Sequence, residues 1–355
     1  MVDSQNDTSL LSEVNLRYVN DQKPGITRRK KGDAFEYFDR EGERVTDDAT
    51  LDRIKKLVIP PAWEKVWISP LPNGHLQAVG YDSRGRKQYR YHTRWNKMSQ
   101  QQKFLHLTEF AETLPRVRRK VREHMGLPGM PKEKVLATVV WLLEHSLIRF
   151  GNEEYQKENN SYGLTTLKNR HTKISKGNVA FAFKGKSGVL HNVSVTNKKV
   201  VSIIRKCQDL PGQELFTYID DEGKPDNISS EEVNDYLKEV SGKEITAKDF
   251  RTWGGTNLAA KTLDRAGIMK EEAEIKQILT DTVKSVAKHL RNKPATSRKY
   301  YIHPVIFEAY YQGYTVSNIN EHKKYLADKM LYELDECENN VICMLRVFQN
   351  AYQQS

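Results

Sequence analysis

The spacing of apolar residues changes near residue 95, and this change restricts the chain to two differently built parts. Before that point, short apolar alternations separated by turn residues predict β-strands, with hairpins over 35–45 and 67–82. After it, the apolar spacing is helical. We therefore predict an α+β fold with a small β-rich N-terminal domain over 1–95 and a larger, mainly helical domain over 96–355. The first ~20 residues are polar and are expected to be flexible.

The sequence predicts a single interruption of the helical part by strands. The segment 131–151 opens with proline, is dense in apolar residues and predicts a deeply buried helix that ends at Gly151. Residues 178–195 predict a β-hairpin with the tip KGKSG. Amphipathic helices are predicted near 230–240, near 247–266 with Thr246 as N-cap, near 271–290, and through the last 40 residues.

Composition excludes several classes of protein. No stretch approaches the ~18 consecutive apolar residues of a membrane span, and the N-terminus lacks the features of a secretory signal. Three separated cysteines, without a CxxC or HExxH pattern, indicate neither disulfides nor zinc. We expect a soluble intracellular protein. Its net charge of +11 favours a polyanionic partner.

Five side chains form a candidate catalytic set: Arg149, Lys186, Arg251, Asn292 and Tyr301. Taken singly, each has an ordinary interpretation as a helix-end, turn or core residue. Together they supply the parts for phosphoryl transfer without a metal. Arginine forks suit the two non-bridging oxygens of a phosphodiester, and a lysine can protonate the leaving oxygen. A tyrosine hydroxyl among cations becomes a usable nucleophile.

The tripeptide GKS at 185–187 resembles part of a nucleotide-binding loop, but the required earlier glycine is replaced by Ala180. The segment also reads as a hairpin rather than as a strand-to-helix turn. We expect no nucleotide site, no metal and no cofactor.

The chain resembles type IB DNA topoisomerases of the poxvirus-like and bacterial subfamily, from about residue 24 to 315. The most specific matches are GRKQYRYH and IRFGNEEY followed by GLTTLKNRH. The other matching stretches are IPPAWEKVWI (59–68), FKGK (183–186), KDFRTWGGT (248–256) and SRKYYIHP (297–304). The resemblance implies a recombinase/topoisomerase-like catalytic domain that closes with the N-terminal domain around duplex DNA as a C-shaped clamp.

The resemblance also implies a role for each member of the catalytic set. Tyr301 matches the nucleophile, Arg149 and Arg251 match the two catalytic arginines, and Lys186 matches the general acid. Viral members carry histidine nine residues before the tyrosine, where this chain has Asn292. The bacterial branch is similar in having asparagine there. Asparagine can donate a hydrogen bond to phosphate but cannot exchange a proton, so its implied role is oxygen binding.

Further residues are candidates for DNA contact. In GRKQYRYH, basic side chains would hold phosphates while polar and aromatic side chains reach base edges. The same stretch could equally be the exposed half of an ordinary sheet. The candidates here are Arg86, Lys87, Gln88, Tyr89 and Tyr91, followed by the weaker set Lys168, Asn169 and Arg170. The cluster Arg116, Arg118, Arg119 and Lys120 is explained equally well by a solvated helix face.

The hypothesis from sequence is a monomeric type IB DNA topoisomerase that acts on double-stranded DNA without ATP or metal, in the cytoplasm or nucleoid if bacterial. The first alternative is a tyrosine recombinase. Such enzymes usually carry histidine where Lys248 stands, have a helical N-terminal domain and act as tetramers. The second alternative is a non-catalytic DNA-binding relative, which would require a lost nucleophile or arginine.

Overall fold

The computed structural model forms two compact units, Met1–Lys103 and Phe104–Ser355. The predicted mixture of helices and antiparallel sheets is confirmed. The last strand of the first unit ends at Tyr91, and the helix that follows begins at Thr93 and continues into the second unit. The structure describes residues 11–151, 153, 156–157, 160–319 and 333–353.

The first unit contains a five-stranded antiparallel sheet and a short helix. The elements are β1 Ile26–Lys31, β2 Ala34–Phe38, α1 Asp48–Lys56, β3 Glu64–Ile68, β4 Leu76–Tyr81 and β5 Lys87–Tyr91. The strands follow the order β2-β1-β3-β4-β5, so β2 and β5 are the outer strands of the sheet.

Both predicted hairpins of this unit are confirmed. In the hairpin over 67–82, β3 and β4 pair with Trp67 opposite Val79. The segment 35–45 forms a short hairpin in which Phe38 lies opposite Arg44, and the N–H of Val45 donates to the carbonyl of Tyr37 at 2.9 Å. The sequence did not predict the longer pairing of β2, which runs along its other edge with β1. The strand predicted in GRKQYRYH is β5.

The core of the first unit lies between the sheet and α1. Ile54 of α1 is buried against Ile26, Val66 and Ile68 of the strands. Asp47 caps α1, since its carboxylate accepts the N–H of Thr50 at 2.8 Å and satisfies one of the free donors of the first turn. This packing fixes one face of the sheet and leaves β5 at an edge.

The second unit is mainly helical around a large apolar core. A three-stranded antiparallel sheet and a short two-stranded sheet accompany the helices. The strands are β6 Thr172–Ser175, β7 Asn178–Lys184, β8 Leu190–Thr196, β9 Thr217–Ile219 and β10 Pro225–Asn227. The first three form one sheet in the order β6-β7-β8, and the sheet of β9 and β10 is a second interruption that the sequence did not predict. The helices are α2 Thr93–His124, α3 Lys132–Ser146, α4 Lys198–Gln208, α5 Ser230–Ser241, α6 Ala247–Ala266, α7 Glu272–Leu290, α8 Pro294–Tyr300, α9 Val305–Tyr311 and α10 Glu336–Gln353.

Most predicted elements of this unit are confirmed. The hairpin 178–195 is β7 and β8, extended by β6 into a three-stranded sheet. Helices α5, α6 and α7 match their predicted spans, and Thr246 is the N-cap of α6, with its N–H and hydroxyl donating to Asp249. Of the last 40 residues, the stretch 336–353 is helical, and residues 320–332 and 354–355 lie outside the described part.

The predicted end of the buried helix at Gly151 is wrong. Helix α3 ends at Ser146, because Leu147 adopts a left-handed conformation with φ of 50°. Gly151 has a different role, close approach to a neighbouring turn: a Cβ there would lie 2.6 Å from the hydroxyl oxygen of Thr165. The chain therefore leaves the helix before Arg149.

No helix among the described residues combines the length and the apolar character that crossing a bilayer requires. Within the same residues, no group of three or more His, Cys, Asp or Glu side chains is arranged to hold a metal ion.

Candidate active site

Arg149 lies just beyond the end of α3, where the left-handed Leu147 turns the chain away from the helix axis. The carbonyl of Arg149 accepts the N–H of Leu164 at 2.8 Å, which fixes this segment against a 3₁₀ turn. The half-buried side chain donates from Nη2 to Oδ1 of Asn292. Two members of the predicted set are therefore in direct contact.

Arg251 is buried in α6, with 4% of its surface exposed. Its Nη1 donates to the carbonyl of Leu147, and its Nη2 donates to the carbonyl of Leu290 at 2.9 Å. Both carbonyls lie at helix C-terminal ends, where unpaired oxygens carry partial negative charge. One guanidinium thus joins the ends of α3 and α7 to α6.

The surroundings of Arg251 disfavour its positive charge. Burial, followed by the like charge of Arg149, lowers the pKa of Arg251 to about 10. The phenol of Tyr301 acts in the opposite direction, first through its charge interaction and then through a hydrogen bond, and both raise the pKa of Arg251. Because a pKa of about 10 lies well above neutrality, the guanidinium stays protonated, and an anion placed beside it would find a poorly solvated cation.

Tyr301 follows α8 and is half-buried beside Arg251. The guanidinium carbon of Arg251 lies 5.2 Å from the centre of the Tyr301 ring, and the Tyr301 N–H donates to the carbonyl of Ser297 at 2.9 Å. The main chain of Tyr301 rests directly on α6, since a Cβ at Gly255 would lie 2.4 Å from the Tyr301 carbonyl oxygen. The neighbouring Tyr300 is exposed.

Three N–H donors of the predicted catalytic residues are not used in hydrogen bonds within the described part of the chain. Nη1 of Arg149, Nε of Arg251 and Nδ2 of Asn292 are buried and have no hydrogen-bond partner among the described residues. A buried donor left unpaired costs about 1–3 kcal/mol, so three together would be satisfied by a ligand rich in lone pairs. The non-bridging oxygens of a phosphodiester have that character.

Lys186 lies on the turn between β7 and β8 and is exposed. The turn is closed by the N–H of Gly185, which donates to the carbonyl of Val189 at 2.8 Å. The side chain lines a cavity of about 380 Å³ together with Arg149 and Tyr162. Lysine and arginine thus border the same space, in which a ligand could meet both charges.

His191 is a site residue that the sequence did not reveal. It is buried on β8, stacks on Phe183 with ring centres 4.7 Å apart, and neither ring nitrogen has a partner among the described residues. Burial, followed by the charges of Arg291, Arg149 and Arg251, lowers its pKa to about 4. The imidazole is therefore neutral at pH 7. A Cβ at Gly185 would lie 2.6 Å from Nε2, so this ring supports the Lys186 turn.

The predicted DNA contacts on β5 are partly engaged within the first unit. Tyr89 and Tyr91 are 46% and 38% exposed, and their rings stack with centres 6.0 Å apart. Gln88 and Arg86 both reach the Asp82 carboxylate, at 3.1 and 2.6 Å. Lys87 pairs with Asp21 at 2.6 Å. The aromatic pair is thus open to a ligand, whereas the polar side chains would have to exchange partners.

The second predicted group lies on the 3₁₀ turn Asn169–His171 and its N-cap. Arg170 donates to the hydroxyl of Tyr162 at 2.9 Å and so lies beside the cavity that Lys186 and Arg149 line. Lys168 lies 3.6 Å from Glu214, and Asn169 donates to the carbonyl of Gly212 at 3.4 Å.

The basic cluster at 116–120 is not one shared surface. Arg118 is largely buried and donates to both carboxylate oxygens of Glu338, at 2.7 and 2.9 Å, and to Glu144. Glu338 also accepts the indole N–H of Trp253 at 3.1 Å. Arg118 therefore holds α10 against α2, and the indole of Trp253 holds the same carboxylate against α6. Its basic character in the sequence gave no sign of this structural role.

Arg149 and Lys186 border one cavity. Asn292 is linked to Arg149 by a hydrogen bond, and Arg251 is linked to Arg149 by charge. The ring of Tyr301 contacts Arg251. A tyrosine among four donors of positive or amide character is the equipment of an enzyme that transfers a phosphodiester to a tyrosine. Comparison with known proteins agrees. The family described as "Eukaryotic DNA topoisomerase I, catalytic core" matches residues 92–330, and "Bacterial DNA topoisomerase IB, N-terminal domain" matches residues 34–82.

Relatives extend the match over most of the chain. A protein of Acanthamoeba polyphaga mimivirus named "DNA topoisomerase 1B" is 36% identical over 295 residues, covering 81% of this chain and 87% of the viral protein. The "DNA topoisomerase 1B" of vaccinia virus strain Copenhagen is 25% identical over 251 residues, covering 69% and 75%. This chain belongs to the type IB DNA topoisomerase family. It is an isomerase whose substrate is double-stranded DNA.

Proposed function

We propose that Tyr301 is the nucleophile with which this topoisomerase cleaves one strand of duplex DNA. Its phenolic oxygen would bond to the scissile phosphorus while the bond to the 5′ oxygen breaks, leaving a 3′-phosphotyrosyl link and a free 5′-hydroxyl. The phenolic proton would pass to solvent. The free end then rotates, supercoils of either sign relax, and the hydroxyl attacks the link to reseal the strand.

The observation that carries this assignment is the set of unpaired donors beside Tyr301. Arg149, Arg251 and Asn292 each present a buried N–H group that lacks an acceptor among the described residues. Bound to the two non-bridging oxygens, they would stabilise the charge that builds on the pentacoordinate phosphorus. The donors are held in place before DNA arrives, because Arg251 is fixed by two helix-end carbonyls and Arg149 by Asn292.

We assign Lys186 as the general acid for the leaving 5′ oxygen. It borders the same cavity as Arg149 and stands on a turn whose main chain is closed by hydrogen bonds. Its ammonium proton would move to the 5′ oxygen as the P–O bond breaks and would be replaced from solvent. General acid catalysis of this kind contributes roughly 10²–10⁴-fold to rate.

The chemistry needs no ATP, because the energy of the phosphodiester is kept in the phosphotyrosyl link and resealing is the same transfer in reverse. The two guanidinium groups and the lysine supply the positive charge that metal ions supply in other phosphoryl transfers. We therefore propose that neither a nucleotide nor a metal is used.

We further propose that the enzyme works as a monomer whose two units close around the duplex as a C-shaped clamp. Its place in the cell would be the compartment that holds the DNA. On the first unit, the exposed pair Tyr89 and Tyr91 would meet base edges in the major groove. A clamp that covers many phosphates releases many counterions, so the proposal requires DNA affinity to fall steeply with salt.

Plasmid relaxation in EDTA and without ATP tests the assignment. The parent enzyme and Tyr300→Phe, the matched control, are expected to relax supercoils, and Tyr301→Phe is expected to have no activity. Full activity of Tyr301→Phe would refute the assignment of the nucleophile. An inactive parent under these conditions would refute the independence from metal and ATP.

A further inference from the structure

Arg291 occupies a main-chain conformation that its side chain does not favour. It caps the C-terminus of α7 with φ of 52°, in the left-handed region that suits glycine. A glycine would adopt this conformation without strain. The arginine at this position therefore contributes something that glycine could not.

The side chain of Arg291 reaches the hairpin that carries Lys186. Its Nη2 donates to the carbonyl of Asn192 on β8 at 2.8 Å, and its Nη1 donates to the carbonyl of His289 at 3.3 Å. Strand β8 is an edge of its sheet, so some of its carbonyls lack a partner within the sheet. One guanidinium thus binds an edge strand and the end of a helix at once.

The contact lies close to the catalytic turn. Asn192 pairs with Ala182, two residue pairs below the last pair of the hairpin, Lys184 with Leu190. At ~3.3 Å per residue, Asn192 is about 7 Å from the start of the turn. A constraint at this distance restricts the tilt of the turn and therefore the reach of Lys186.

The other end of the contact is equally close to the phosphate donors. Arg291 directly precedes Asn292, which receives the hydrogen bond from Arg149. The positive charge of Arg291 is also near enough to lower the pKa of both His191, under the turn, and Arg251. Arg291 therefore stands between the two halves of the site.

We propose that Arg291 is a positioning residue that fixes the Lys186 hairpin against the end of α7, so that the general acid and the phosphate donors meet the same phosphodiester. The proposal rests on the proposed function and adds a residue to it. The cost of a left-handed arginine is offset by its bonds to β8 and α7. Without them, Lys186 would remain present but would less often be in reach of the 5′ oxygen.

The test compares single-turnover cleavage of two duplexes that differ only in the leaving atom, oxygen or sulfur, at the scissile 5′ position. A thiolate leaves without a proton, since thiols have pKa values of about 8.5, so the sulfur substrate removes the need for Lys186. Arg291→Gly is expected to cleave the oxygen substrate about tenfold more slowly than the parent and the sulfur substrate within about twofold of it. Arg205→Ala, at an exposed arginine of α4, is the charge control and should match the parent on both.

Two results would overturn the proposal: an equal loss on both substrates, which would mean that Arg291 acts on the phosphate or on folding, or no loss on either. Hydrogen exchange of the turn amides Gly185 and Gly188 gives a second measurement. We expect about tenfold faster exchange in Arg291→Gly, and unchanged exchange would contradict the proposal.

The variant Lys186→Ala distinguishes a failure of the proposal on Arg291 from a failure of the proposed function. If sulfur fails to restore cleavage in Lys186→Ala, the assignment of the general acid is wrong whatever Arg291 does. If Tyr301→Phe still cleaves, the assigned nucleophile is wrong. Restoration in Lys186→Ala together with loss on both substrates in Arg291→Gly would refute the positioning role alone.

Discussion

Adding a single methyl group to α6 at Gly255 is predicted to displace the nucleophile. The new Cβ would lie 2.4 Å from the carbonyl oxygen of Tyr301 and 3.2 Å from Cδ1 of Leu290. Ordinary contact begins near 3.4 Å, so the Tyr301 main chain would have to retreat by ~1 Å. A misplacement of that size costs on the order of 10²-fold in rate when reacting atoms must be aligned.

The effect on stability should be much smaller than the effect on rate. Alanine is favoured over glycine inside a helix by about 1 kcal/mol, whereas overpacking costs about 1–3 kcal/mol, so the two largely cancel. We therefore expect Gly255→Ala to fold, with a midpoint of thermal unfolding within a few degrees of the parent. Covalent adduct formation on a duplex under single-turnover conditions should be about 100-fold slower.

Gly254→Ala is the matched control. The three atoms nearest to its Cβ would be side-chain atoms of Leu147, two of them at 2.7 Å, and the end of a leucine side chain can move aside. Its rate should stay within about fivefold of the parent. If Gly255→Ala cleaves at the parent rate, or if both variants lose activity equally, the seating of Tyr301 on α6 does not set its reactivity.

Three further predictions concern other parts of the molecule. Glu338→Gln should destabilise the fold by about 3 kcal/mol at pH 7. The substitution replaces a charged partner of the largely buried Arg118 with a neutral amide and leaves Glu144 as its carboxylate partner. Burial raises the pKa of Glu338, but the bonds and charge of Arg118 outweigh it and the net direction is down. The difference between parent and variant should therefore shrink in chemical denaturation as pH falls below ~4.5 through the folded pKa, and a difference independent of pH would contradict this. Asp82→Asn should strengthen duplex binding several-fold and steepen its salt dependence by about one unit, since Arg86 loses the charge of its carboxylate partner. A weaker affinity in titrations would mean that Asp82 presents Arg86 to DNA. His191 is neutral in the folded state, with its pKa lowered to about 4. Protonation of His191 should therefore contribute a loss of about 2–3 kcal/mol of stability between pH 7 and pH 4.5, because the unfolded histidine takes up its proton at higher pH than the folded one. His191→Leu should lack that part of the loss, and an identical pH dependence in both proteins would refute the neutral state.

Local patterns were sufficient to predict much of the fold. Alternating apolar residues predicted β3, β4 and β5, and the spans of α5, α6 and α7 followed from helical spacing. The hairpin of β7 and β8 was predicted from its turn residues. These patterns involve residues that are close together in the sequence, so they can be recognised without knowing the tertiary structure.

Features that depend on distant contacts could not be predicted. Helix α3 ends at Ser146, where Leu147 turns left-handed, and the carbonyl of Leu147 accepts a hydrogen bond from Arg251, about a hundred residues further along the chain. Arg118 was grouped with surface cations, but its partner is Glu338 on α10. Neither contact affects the spacing of apolar residues nearby in the sequence, so neither could be predicted from it.

The candidate site likewise contains residues that could be identified from the sequence and residues that could not. Residues of the catalytic set were identified through a family resemblance, and the structure brings Arg149, Arg251, Asn292 and Tyr301 together. His191 and Arg291 carried no such signal. One acts through burial and the other through a left-handed main chain, and both properties become visible only when β8 meets the end of α7.

The most direct test of the account is to identify the residue that becomes bonded to DNA. A duplex whose short 3′ segment diffuses away after cleavage would trap the adduct, and fragmentation of the tryptic peptide that follows Lys299 distinguishes its tyrosines. The account predicts a nucleotide on Tyr301. An adduct on Tyr300 or on a tyrosine elsewhere, or cleavage with no covalent adduct, would contradict it.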